Sequence, residues 1–221
     1  LFFKQLQVAA AKGGAYVAKP MENPASAVVN RVAQATALHQ FGVDAAYLAK
    51  AVDGWLGEAP AQGRKLLADS LLELLAILSK SGVQDNMLKN MFVKWMHWSR
   101  TVFLPALMKV GGDEPPKVLY EGDISKHEVY MLRILSRAGC DIAYVNFVCD
   151  QSYLAVDPKS VWSTLVEGPQ KTIPAVHFSK IDLGFFASLA QVQAGAAELE
   201  KRLETNTWLH QDFMEMGKET N

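Results

Sequence analysis

The sequence predicts an α/β protein: a helical N-terminal portion followed by a Rossmann-like parallel βαβ unit, with the sheet left incomplete. Three observations carry this. Residues 25–110 are rich in Ala, Leu, Val and Met at helical spacing. Residues 117–148 read as strand, helix and strand over about 30 residues, the length of one crossover. Between them stands Gly111-Gly112-Asp113-Glu114-Pro115-Pro116, a cluster of helix and strand breakers. The cluster sets a boundary between a mostly helical subdomain, 1–110, and an α/β subdomain, 111–221, the latter read as a fragment of a longer chain. The ends support that expectation. The chain opens on Leu1-Phe2-Phe3-Lys4 without a methionine, and residues 216–221 follow a helical pattern with no concluding strand.

In the first half the apolar spacing predicts four helices. Apolar positions repeat at Val28, Val29, Val32, Ala35, Ala37 and Leu38 over 25–40, and Gly42 stops the run. Asp44 precedes a second helix with Tyr47, Leu48, Val52, Trp55 and Leu56, broken at Gly54, Gly57 and Pro60. Arg64–Ser79 forms a third, whose apolar surface from Leu66 to Leu78 is too wide for burial on one side alone. Asp85 is the expected N-cap of a fourth. Its Met87, Leu88, Met91, Phe92, Trp95, Met96, Trp98, Val102 and Phe103 occupy half the wheel, and Lys89, Lys94, His97 and Arg100 the other half. Pro105 kinks or ends it.

The second half carries the stronger signal. Lys117–Glu121 reads as a buried strand ending in a turn at Gly122. Ser125-Lys126-His127-Glu128 has the capping-box spacing, in which a Ser hydroxyl and a Glu carboxylate each satisfy a free backbone N–H. Val129, Leu132, Ile134, Leu135 and Ala138 continue the helix, and Gly139 is the residue expected just past its end. Ile142–Val148 is the second strand. Beyond it, 153–158 reads as a loop and 161–166 as strand or helix. Residues 172–178 read as a short edge strand or an extended segment, and 185–204 as an amphipathic helix continued by 208–216.

Composition excludes several functions. Half of the 221 residues are hydrophobic, too many for a disordered chain, and 22 Lys and Arg against 23 Asp and Glu argue against a dedicated nucleic-acid binder. Two cysteines are too few for a disulfide scaffold and read as free, buried thiols of a cytoplasmic protein. No apolar run reaches membrane-spanning length, since Asp69, Ser70 and Glu73 interrupt the best one. The five histidines lack zinc-type spacing, so no metal site is assigned.

Parallel α/β sheets place ligands beyond the carboxyl ends of their strands. Here those ends hold Glu121, Gly122, Asp123, Ser125 and His127, then Asn146 and Asp150. Glu121, Asp123 and His127 are candidate acid–base groups. Gly122, Ser125, Asn146 and Asp150 are candidate ligand contacts. The turn has one glycine where a dinucleotide fingerprint needs three, so no cofactor is assigned. Glu121 and Asp123 repel a bare phosphate and suit a ribose or sugar hydroxyl.

These residues resemble the YceG-like bacterial proteins. The likeness is carried by Pro116–Glu128, by Leu132, Leu135 and Gly139, by Asp141–Asn146, and by the helix from Lys94-Trp95-Met96-His97-Trp98 to Leu104-Pro105. The resemblance implies a place in tellurite-resistance and stress operons, as a component of a biosynthetic module, in a chain longer than this one. It assigns no catalytic residue. Two functions follow as expectations. One is binding of a nucleotide or sugar-phosphate-like metabolite at the strand ends, with a transferase activity. The other is a non-catalytic scaffold for partner proteins from the same operon.

Overall fold

In a computed structural model, residues 2–164 and 166 are described. They lie in the first of two compact units, residues 1–175. The expectations for 172–178, 185–204 and 208–216 fall outside the described residues. In chain order the elements are α1 (Phe2–Ala11), β1 (Ala15–Val17), α2 (Ser26–Ala35), α3 (Ala45–Trp55), α4 (Ala61–Lys80), α5 (Asp85–Thr101), α6 (Leu104–Leu107), β2 (Lys117–Glu121), α7 (Lys126–Arg137), β3 (Asp141–Val145) and α8 (Gln151–Leu154). The Gly111–Pro116 cluster joins α6 to β2 within this unit.

Among the described residues the sheet has three parallel strands in the order β1-β2-β3. The strand–helix–strand reading of 117–148 is therefore correct, and β1 adds a strand that the sequence did not announce. A doubly wound Rossmann sheet reverses its strand order. These three strands do not, so the likeness is limited to the βαβ unit.

Side chains alternate across the strands, and the register separates two faces. Ala15, Val118 and Ile142 align, as do Val17, Tyr120 and Tyr144. All six belong to or pack against the main apolar cluster, which also takes Leu71, Leu75, Phe92, Trp95, Met131 and Leu135 from the helices. Successive crossovers of one hand in this order place both connections on one face, as that single cluster requires. The alternate positions, Tyr16, Leu119, Ala143, Glu121 and Val145, look the other way. There α1 brings its buried Gln7 to Tyr16.

Local chemistry sets the helix ends. Asp44 caps α3 by accepting from the Tyr47 N–H at 2.8 Å. Gln84, not Asp85, occupies the N-cap of α5, and Asp85 opens its first turn. The helix expected over 25–40 ends at Ala35, because Ala37 turns left-handed (φ 48) into a short 3-10 turn at Leu38–Gln40. Residues 161–164 form neither strand nor helix. Asp157 accepts from the N–H groups of Val161 and Trp162 and turns the chain there. Cys140 is buried as expected, whereas Cys149 is exposed. Among the described residues no helix is long and apolar enough to cross a membrane.

Candidate functional site

Glu121 closes β2 and is 7% exposed. A carboxylate at that depth needs donors. One is the Tyr16 hydroxyl of β1, which donates to Oε2 at 2.6 Å. Burial, followed by this hydrogen bond, pushes the Tyr16 phenol up to about 12. The pair spans the second face of the sheet and locks β1 to the end of β2. Gly122 follows at φ 96, and its N–H continues the ladder to the Val145 carbonyl at 2.9 Å.

The start of α7 is occupied by its own chain. Ser125 and Glu128 form the expected capping box, and the Glu128 carboxylate accepts from the Ser125 N–H at 2.7 Å. Its other oxygen accepts from the Met21 N–H at 2.6 Å. Glu128 is only 2% exposed. It ties the segment leaving β1 to the segment leaving β2. It also contributes, after burial itself, to pushing the Tyr120 phenol well above its ordinary range. The strand-end crevice between β1 and β2 is thus bridged by a carboxylate.

Between β2 and β3 the ends are more open. Asp123 is exposed, and the Asn146 amide approaches its Oδ1 at 3.5 Å while donating to the Tyr144 hydroxyl at 3.1 Å. The Asn146 carbonyl oxygen accepts from the Val148 and Cys149 N–H groups at 2.8 and 3.4 Å. That turn ends the second strand at Val145, short of the expected Val148. Asp150 holds the N-cap position of α8 without a side-chain cap bond. The Tyr144 ring stacks on Tyr153 at 5.6 Å and 18°. Burial raises the Tyr144 phenol, with Asp150 and Asp123 adding to the shift and Asn146 opposing it. Asp123, Tyr144, Asn146 and Asp150 therefore share one electrostatic neighbourhood.

His127 belongs to a different one. Its imidazole is pushed below the ordinary value by burial, then by Lys94 and Lys126, with Glu128 opposing. Its carbonyl accepts from Trp95 Nε1 at 3.1 Å, which pins α5 to the first turn of α7. The structure gives no bond joining His127 to Glu121 or Asp123. Ser125 serves the helix cap. On the basic face of α5, Arg100 pairs with Glu58 at 3.0 Å and lies over Trp55, and Lys89 lies over Phe41.

Sequence reasoning missed Tyr16 and Met21, which no motif marks. An acid at the end of a buried strand, Glu121, was the signal that a partner existed, whereas Glu128 reads from the sequence only as the capping-box residue. A shallow depression lined by Lys117–Leu119 and Asp141–Ala143 lies toward the strand N-termini, away from these groups.

Fold and strand-end chemistry define the class: an α/β protein with a short parallel sheet and an acidic, amide-bearing carboxyl edge. Compared with known families, residues 38–181 match the model described as the YceG domain. That is more than half of the 221 residues, and the chain belongs to the YceG domain family. The match takes in α3–α8, β2 and β3, while β1 precedes it and still pairs with β2. Comparisons with curated proteins and with solved structures give no match.

Proposed function

We propose that the protein binds a nucleotide or sugar-phosphate-like metabolite beyond the ends of β2 and β3. Asp123, Asn146 and Asp150 would receive its hydroxyl groups. The single observation behind this is the exposed Asp123 carboxylate facing the Asn146 amide at 3.5 Å beside Tyr144. An acceptor-only carboxylate held beside a tyrosine hydroxyl suits a sugar diol. Asp123 is also the acid best exposed for proton transfer. Glu121 serves through Tyr16, as a fixed wall of the same edge. The reading extends to a transferase in a cytoplasmic, stress-associated biosynthetic module of the tellurite-resistance type.

Scanning fluorimetry with nucleotides and nucleotide sugars tests it. A ligand at about 100 times its Kd stabilises by about 2.7 kcal/mol, a readily measured rise in Tm. The gain should vanish in Asp123→Ala/Asn146→Ala, both of which sit at the edge rather than in the core. No response to any ligand, or an equal response in the double variant, overturns the proposal. A scaffold built on the apolar stripe of α5 is not part of it, because Met91, Trp95 and Trp98 are 3%, 0% and 2% exposed.

A further inference from the structure

We propose that residues 18–25 form an acid-released strap, closed across the carboxyl ends of β1 and β2 at neutral pH and freed when His97 of α5 takes a proton. The segment leaves β1 at Val17 and enters α2 at Ser26. Two fasteners from different helices hold it. The Glu128 carboxylate of α7 accepts from the Met21 N–H at 2.6 Å, and the Trp98 indole of α5 donates to the Glu22 carbonyl at 2.7 Å. Between and beside these bonds the strap faces water, with Lys19, Pro20, Glu22, Asn23 and Ala25 exposed. The helix it leads into buries only Val32, whereas α4 and α5 bury eight residues each. Segments with few buried contacts open before the core, so the strap is poised to open ahead of the helices beneath it.

His97 supplies the trigger. It adjoins Trp98, and its Nδ1 atom is buried with no hydrogen-bond partner. A neutral imidazole can carry its proton on Nε2 and leave Nδ1 as an unused acceptor, whereas in the imidazolium both nitrogens carry N–H. A buried, charged N–H without an acceptor costs more than an unused lone pair. The charged groups of other elements that act on the ring are Arg31 of α2 and Glu22 of the strap. On α5 itself Lys94 and Arg100 stand three positions to either side, and Arg100 is paired with Glu58. The Glu22 side chain is 85% exposed and pairs with Lys19 at 3.9 Å, so it leaves a proton on Nδ1 without an acceptor. Burial, then Arg31, pushes the imidazole below its ordinary value against Glu22. The closed strap is therefore favoured in full above the ordinary value of 6.5 and loses ground as pH falls below it. Release lets water reach Nδ1, frees one Glu128 oxygen and uncovers the β1–β2 crevice, leaving the β2–β3 edge as it is.

Hydrogen exchange in the full chain, read by NMR and corrected for the intrinsic effect of pH, is the test. The Met21 amide and the Trp98 indole N–H report on the strap. The Trp55 indole, which donates to the Met96 carbonyl of α5 at 2.7 Å, reports on the core. Between about pH 7.5 and about pH 5.5, where histidine titrates, protection at Met21 and Trp98 should fall together. The fall is at most about tenfold per pH unit, the limit for uptake of one proton, and Trp55 should keep its protection. H97Q should hold the strap's protection constant across this range, and W98F should lower it at Met21 at every pH. A strap indifferent to pH, an equal fall at Trp55, or a fall at Met21 without Trp98 overturns the proposal. So does a pH trend retained in H97Q, or Met21 protection unchanged in W98F. Should H97Q fail to fold, the wild-type His97 resonance decides: a titration midpoint at or above 6.5 overturns the trigger, and one below it upholds it.

Discussion

Glu128 offers the sharpest test of how this fold holds its strand ends. It is a carboxylate at 2% exposure that accepts from two backbone N–H groups, Met21 at 2.6 Å and Ser125 at 2.7 Å. Hydrogen bonds to a charged acceptor contribute about 1.5–3 kcal/mol each, and a donor left buried without one costs a similar amount. Glu128→Ala removes both and should destabilise by about 3–5 kcal/mol. Glu128→Gln keeps the shape but offers one acceptor. Its amide hydrogens then face the second N–H, so about 2–3 kcal/mol should be lost. For a unit of this size the alanine variant translates into a Tm lowered by roughly 6–20 °C. Urea unfolding followed by tryptophan fluorescence is the assay, because Trp95 bonds to the first turn of α7 and reports on it. Glu58→Gln, which touches only the exposed ion pair with Arg100, serves as control and should cost about 0–1 kcal/mol. If Glu128→Ala costs no more than that control, the two bonds do not hold the β1 and β2 exits together, and the reasoning fails.

Three further outcomes follow from the same geometry. A Cβ at Gly14 would lie 1.8 Å from the Lys117 carbonyl oxygen, so Gly14→Ala should cost about 3 kcal/mol or more by forcing β1 off β2. Gly82→Ala, in open space at φ 87, should cost only about 1–2 kcal/mol; equal Tm values for the two would sink the close-approach argument. With a thiol reagent at pH 8, Cys149 should react in the native protein. Cys140, whose thiol burial pushes up to about 12, should react only on unfolding; two native thiols reacting at one rate would contradict this. Tyr16→Phe leaves Glu121 short of a donor and should cost about 1–3 kcal/mol at neutral pH. The fold favours the neutral phenol, raised from 10.0 to about 12. Its contribution is therefore full below pH 10 and lost as pH rises towards 12, because the unfolded chain releases that proton first. Stability measured across that window should fall less steeply in the variant than in the wild type.

The helices α2–α5 and α7 and the strands β2 and β3 were legible because their signals are local. Apolar side chains recur at 3.6 or 2 residues, and Gly57, Pro60, Gly82 and Gly139 punctuate them. β1 was not legible. Ala15–Val17 is too short to show alternation, and its only described partner is β2, about 100 residues further on. That gap also hid the site's internal bonds. Glu121 attracted attention as a buried acid, but its donor, Tyr16, is separated by 105 positions, and the Met21–Glu128 bond spans 107. Grouping His127 with Glu121 and Asp123 was a natural reading of residues six apart. A helix turn was enough to change its neighbours, because the first turn of α7 carries the His127 carbonyl to Trp95 of α5.

The capping box has a functional consequence beyond helix stability. A bare helix N-terminus at a strand end favours an anion, through free N–H groups and a partial positive charge. In α7 that position already holds the Glu128 carboxylate, fixed by two backbone donors. A phosphate placed there would meet a buried negative charge instead of open N–H groups. Asp123 and Asp150 make the neighbouring edge still less suited to it. On the proposed reading, a ligand would turn its hydroxyls toward Asp123 and Asn146 and keep its charge away from the start of α7. The capping box that starts the helix would thereby limit the direction in which such a ligand could lie.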